Sequence, residues 1–193
     1  MLTSDLPKSR RALLLIDFLN PLDFPGAEDL EEPAWQAARA TAQLARAARA
    51  SGLPVIYAND NFGTWRSDFS SMVRGIERRG GTAARIAKLL RPKRGDLTIL
   101  KPMHSAFFGS PLHIVLDKIG VRSLVIAGLA TDICVQLTAG DALLRGFKTH
   151  VPQDCTAAES ETKKTVALAY MREILKADVR PWRAILRPQA SQA

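Results

Sequence analysis

Short apolar runs alternate along this chain with segments of helical periodicity, and that alternation restricts the fold more than any other feature. "RALLLID" (11–17), "LPVIYAND" (53–60), "DLTILK" (96–101), "SLVIAGL" (123–129) and "KTHVPQD" (148–154) read as strands, and "DVRPW" (178–182) as a short sixth. Between them the spacing predicts helices over Pro33 to Ser51, over "GTAARIAKLLRP" (81–92), over "SPLHIVLDKIG" (110–120), from Cys134 to Arg145, and over "ESETKKTVALAYMREILKA" (159–177). Strands that are apolar at consecutive positions are buried on both faces, and helices between them supply the crossovers of βαβ units. The expected architecture is three-layer α/β/α: a Rossmann-like parallel sheet of five to six strands with helices on both faces. No linker or repeat divides the 193 residues, so the expectation is a single domain over 1–193, its core about 11–180, with short tails.

Composition removes several function classes. No apolar run approaches the roughly eighteen residues that a membrane helix needs, and "MLTSDLPKSRR" lacks the apolar stretch of a secretory signal. Two cysteines, Cys134 and Cys155, cannot build a disulfide framework, which points to a cytoplasmic setting. The net charge of +8 raises the question of nucleic acid, with the basic residues densest from Arg74 to Arg94. That stretch has no aromatic residue to stack bases, and it reads as a solvated helical face. A non-enzymatic basic module binding nucleic acid or another polyanion is therefore the alternative rather than the leading reading. The charge would equally draw small anionic substrates toward a cleft.

In open parallel sheets ligands sit beyond the C-terminal ends of the strands. The first strand ends in Asp17, the third in Lys101, and the turn after the fourth leads to Cys134. A carboxylate, an ammonium and a thiol are thus expected on one sheet edge. Each alone has an ordinary structural reading: a turn residue, a strand-closing surface lysine and core filling. Together they suit nucleophilic chemistry. A thiol must lose its proton to attack a carbonyl, and a helix N-terminus and a nearby ammonium both favour the thiolate. A carboxylate can accept that proton and later deliver it to a departing amine.

"LLLIDFLN", "LKPMHSAFFGSPL" and "GLATDICVQLTAGDALLRGF" resemble, in order, the motifs of the isochorismatase-like cysteine hydrolases, over roughly Arg11 to Ala177. The resemblance implies that Asp17 is the base and acid, that Lys101 stabilises the thiolate and that Cys134 is the nucleophile. It also implies a cis peptide between Leu129 and Ala130, with the N–H groups of Ala130 and Cys134 forming an oxyanion hole, and a homo-oligomer, a dimer or larger. The implied activity is hydrolysis of a C–N bond in a small amide or carbamoyl substrate through a thioester.

Two departures narrow this. Nicotinamidase-like members carry a metal site built from an aspartate and closely following histidines, but here Phe62 follows Asp60 at the first histidine's place. His104, His113 and His150 are too scattered for a zinc cluster, so no metal and no cofactor is expected, and a metal-assisted nicotinamidase is a secondary reading. True isochorismatases, which cleave an enol ether, lack the cysteine. For the substrate's surroundings the candidates are Phe18, Asn20, Asn61, Trp65, Arg66, His104 and Phe107, with Arg66 suited to clamp a carboxylate. Asp132 is expected to cap the Cys134 helix. Cys155 reads as structural; a redox sensor would need it to reach Cys134.

Overall fold

The computed structural model describes residues 5–66 and 68–186. Strand β1 (Arg11–Ile16) is followed by α1 (Ala27–Ala50), β2 (Val55–Asp60), α2 (Phe69–Arg79), α3 (Gly81–Leu89), β3 (Leu97–Lys101), α4 (Leu112–Ile119) and β4 (Ser123–Leu129). A π-helical turn (Thr131–Val135) then leads into α5 (Gln136–Leu144), β5 (Lys148–His150), β6 (Thr156–Ala157), α6 (Glu161–Glu173) and α7 (Trp182–Ile185). The sheet is parallel and six-stranded, in the order β3-β2-β1-β4-β5, with β6 also pairing with β4.

The apolar runs are strands because both faces are covered. Side chains alternate across a sheet, and Leu13 and Leu15 of β1 enter one core with α1, α2 and α3, whereas Ala12, Leu14 and Ile16 enter a second with α4, α5 and α6. The result is the three-layer α/β/α arrangement, with two apolar cores separated by the sheet. Small residues let the central strands sit close. At Gly128 an added Cβ would lie 2.4 Å from the Ile16 carbonyl oxygen, and its φ of +156° is one that side chains rarely adopt. Glycine is needed there, one strand end away from Asp17.

Several boundaries differ from expectation for identifiable reasons. Helix α1 begins at Ala27 rather than Pro33. Proline normally opens a helix, but Pro33 and Asp29, whose carbonyl loses its intrahelical donor, both lie on the exposed side. The "KTHVPQD" strand stops at His150, since Pro152 offers no N–H, and a 3-10 turn follows at Gln153–Cys155. The sixth strand is Thr156–Ala157 and not "DVRPW", where His150 and Asp178 form a single bridge before α7.

The basic stretch divides at Gly80 and Gly81 into α2 and α3. There Arg79 pairs with Asp23, Arg91 with Glu77, and Arg85 lies 4.1 Å above the Trp35 ring. Much of this charge is used locally. Among the described residues no helix is long and apolar enough to cross a membrane.

Candidate active site

Asp17 is the first residue beyond β1. Its N–H still bonds the Ala58 carbonyl at 3.1 Å, and a left-handed φ of 49° then turns the chain away from the sheet. The carboxyl group is buried; Oδ1 accepts the Asp60 N–H at 2.7 Å. Lys101 closes β3, two strands away, and is wholly buried. Its Nζ lies 2.7 Å from Asp17 Oδ2, donates to the Met103 carbonyl at 3.0 Å, and lies 3.6 Å from Asp60 Oδ2. It also donates to Cys134 Sγ at 3.8 Å. An ammonium this buried is tolerated only when such partners replace its water.

Cys134 is half-buried within the π-helical turn, two residues before α5. The turn leaves β4 through a cis peptide between Leu129 and Ala130. The Ile133 and Val135 N–H groups both donate to the Ala130 carbonyl, at 3.2 and 3.1 Å. The Thr131 hydroxyl meets that of Thr156 at 2.8 Å, and Thr156 donates to the Gly128 carbonyl at 2.8 Å, tying the turn to β6. No side chain caps the turn, and Asp132 lies within it, so the expected cap is not formed.

The electrostatics differ from the simple picture of a thiolate held by lysine. Burial, then the Asp17 charge, pushes the Cys134 thiol above its ordinary range, and the opposing pull of Lys101 does not overcome them. Burial raises the Asp17 carboxyl despite the ammonium beside it. Burial also works against the Lys101 ammonium, but Asp17, Cys134 and Asp60 together outweigh it and keep the lysine charged. The thiol and the carboxyl beside it are thus both shifted toward holding their protons, next to a charged lysine.

Of the residues assigned to the substrate's surroundings, His104 is brought to the sulfur, with Nδ1 3.7 Å from Cys134 Sγ. Asn61 lines a cleft of about 380 Å³ with Phe62, Thr64, Met72 and Arg79, while its N–H donates to the Lys101 carbonyl. Asn20 is occupied in a turn, accepting the Leu22 N–H at 2.8 Å. Trp65 and Arg66 are exposed on the loop after β2. Phe18 and Phe107 are not pocket walls: Phe18 is 1% exposed in the α1-side core, and Phe107 stacks on Phe147 in the other. A larger cleft of about 420 Å³, between α5, α6 and the loop after β3, is lined by His104 but not by Asp17, Lys101 or Cys134.

The residue that sequence reasoning undervalued is Asp60, considered only as a metal ligand. Its carboxylate accepts the Phe62 N–H at 2.7 Å and faces Lys101, so it helps hold the ammonium. Its position at the end of β2, between the strands that end in Asp17 and Lys101, was the available signal. With Asp60 used this way and Phe62 beside it, the nicotinamidase-type metal set does not fit. Among the described residues no three His, Cys, Asp or Glu side chains gather to hold a metal ion.

The Isochorismatase domain profile matches residues 11–180. The chain belongs to the isochorismatase family. The family protein YaaI of Bacillus subtilis is 33% identical over 176 residues, covering 90% of this chain and 95% of YaaI. Maleamate amidohydrolase of Pseudomonas putida is 31% identical over 152 residues, covering 75% of this chain and 70% of that enzyme. Among solved structures, nicotinamidase/pyrazinamidase PncA from Bacillus subtilis superimposes with a TM-score of 0.72 at 27% identity, covering 89% of this chain and 100% of the other. N-carbamoylsarcosine amidase from Thermoplasma acidophilum gives 0.67 at 27%, covering 90% and 97%. These amidase relatives act, by name, on C–N bonds other than peptide bonds, and this isochorismatase-family chain is a hydrolase of that kind.

The charges around the sulfur generate a signed prediction. Removing the Asp17 charge leaves Lys101 as the dominant neighbour, so Asp17→Asn should shift the pH profile of iodoacetamide alkylation at Cys134 to lower pH. An unchanged profile would show that the sulfur does not sense Asp17.

Proposed function

We propose that this enzyme hydrolyses a small amide or carbamoyl compound through a thioester on Cys134. The observation that carries the reading is the buried Lys101 ammonium, 2.7 Å from the Asp17 carboxylate and 3.8 Å from the Cys134 sulfur. The proton leaves the thiol for Asp17 as the sulfur attacks the carbonyl carbon. Burial makes Asp17 a stronger base than an ordinary carboxylate, and Lys101 keeps it ionised until then. The N–H groups of Ala130 and Cys134 take the oxyanion. Asp17 next protonates the departing amine, leaving an acyl-thioester that water hydrolyses. No step needs a metal.

Asn20, Asn61, Trp65 and Arg66 we assign to the substrate's surroundings together with His104, whereas the Phe18 and Phe107 rings are packed in the cores. The amide and carbamoyl compounds named in the relatives, maleamate, N-carbamoylsarcosine and nicotinamide among them, form the first test panel. Nicotinamide is the least supported, given the missing metal ligands. The two free cysteines fit a cytoplasmic setting. For ammonia release from any active member, Cys134→Ser should abolish turnover with the fold intact, because serine keeps the volume but is far less acidic. Retention of more than about a hundredth of the wild-type rate, well above what loss of a nucleophile leaves, would contradict covalent catalysis here.

Met103, Phe108, Leu137, Leu144 and Tyr170 are exposed around the larger cleft, and apolar surface collected in one place is unusual on a monomer. We assign Leu144 and Tyr170, on α5 and α6, to contact with a second copy of the chain, which leaves His104 open to solvent. Sedimentation at micromolar concentration should give a dimer or larger, and a 21.1 kDa species would refute it.

A further inference from the structure

The sulfur of Cys134 has two nitrogen neighbours of opposite character. Lys101 Nζ, at 3.8 Å, is wholly buried and committed to Asp17 and to the Met103 carbonyl. His104 Nδ1, at 3.7 Å, belongs to an exposed residue that lines the cleft of about 420 Å³. The loop that carries His104 is tied down on both sides of it. Before it, the Met103 carbonyl accepts from Lys101; after it, Ser105 donates to Asp141 and the Ala106 N–H donates to the Thr138 hydroxyl at 3.0 Å. These last two contacts anchor the loop to α5, the helix that continues from the cysteine turn.

Placement distinguishes the two bases near the sulfur. Asp17 is 4% exposed and is paired with Lys101. It is suited to exchanging a proton with a thiol or an amine already inside the site. Water that hydrolyses a thioester must instead come from solvent to a carbon bonded to Sγ, and His104 is the base on the solvent side of that atom. From this, and resting on the cysteine reading above, we propose that His104 is a second catalytic base, which activates the hydrolytic water in the deacylation step.

The step closes. Neutral His104, protonated at Nε2, takes a proton from water at Nδ1 as the water oxygen forms its bond to the thioester carbon. The tetrahedral intermediate collapses, the C–S bond breaks and its electron pair returns to sulfur. The imidazolium then passes its proton to Sγ. The products are the carboxylic acid and the Cys134 thiol, with Asp17 already ionised after protonating the amine. Sequence reading placed His104 near the substrate only; its distance to sulfur gives it this more specific task.

The test uses p-nitrophenyl acetate, an activated ester that acylates a reactive thiol without demanding a particular amide substrate. Nitrophenolate release is followed for wild type and His104→Gln, and acetylation of Cys134 is read by intact mass after acid quenching. His104→Gln should still acetylate Cys134 but lose the acetyl group to water about 10²-fold more slowly, the usual contribution of a positioned base. Acetyl-enzyme should accumulate, and hydroxylamine, which attacks a thioester without a base, should restore turnover. Unchanged deacetylation in His104→Gln overturns the role of His104 while leaving the cysteine reading intact. Slowed acetylation with unchanged deacetylation, or failure of hydroxylamine to restore turnover, also overturns it. Absence of Cys134 acetylation in both the wild type and His104→Gln removes the thioester itself, and this proposal with it.

Discussion

The ion pair between Asp17 and Lys101 is the constraint around which the site is arranged. Neither group can be left buried without the other: an unpaired ammonium or carboxylate in such a place costs several kcal/mol. The sheet order makes lysine the appropriate partner. β1 and β3 are separated by β2, and adjacent strands lie about 4.8 Å apart, so the two strand ends are about 10 Å apart. A four-carbon stem ending in a compact charge crosses that gap. Asp60, on the intervening strand, steadies the ammonium at 3.6 Å and donates its N–H to Asp17. β4 lies on the other side of β1, and the turn that leaves it carries Cys134 to within 3.8 Å of the same ammonium.

This arrangement does not hold a free thiolate in waiting. Burial and the Asp17 carboxylate both oppose ionisation of the sulfur, and Lys101 compensates only in part. In the proposed mechanism, proton transfer to Asp17 therefore accompanies attack on the substrate instead of preceding it. A sulfur that ionises only against a bound carbonyl is less exposed to unproductive alkylation or oxidation. In the proposal the two bases divide by placement: Asp17, buried, serves groups already in the site, and His104, exposed, serves incoming water.

Much of this was legible in the sequence because it rests on periodicity and on strand ends. β1, β2 and β4 are consecutive apolar residues, a pattern that a sheet covered on both faces imposes directly, and Asp17, Lys101 and Cys134 stand where such runs stop. What escaped depends on three-dimensional competition. Helix α2 has few buried residues, chiefly Val73 and Ile76, and so offers little apolar periodicity among its arginines. Pro33 reads as a helix start because local rules do not reveal that its side of α1 faces solvent. Phe18 and Phe107 follow strand ends, yet their rings turn back into the two cores, where burial of an aromatic ring is strongly favourable. Asp60 was masked by its resemblance to a metal ligand, since its pairing with Lys101 depends on strand order that no single segment encodes.

The central claim is that an acyl group passes through the Cys134 sulfur, and the most direct measurement is a single-turnover reaction with an active amide, quenched in acid and read by peptide mass. The account predicts an acyl adduct on the peptide carrying Cys134, formed no more slowly than ammonia is released and decaying as the carboxylic acid appears. Ammonia released in full while that peptide never gains mass, with oxygen from labelled water entering the product directly, would contradict it.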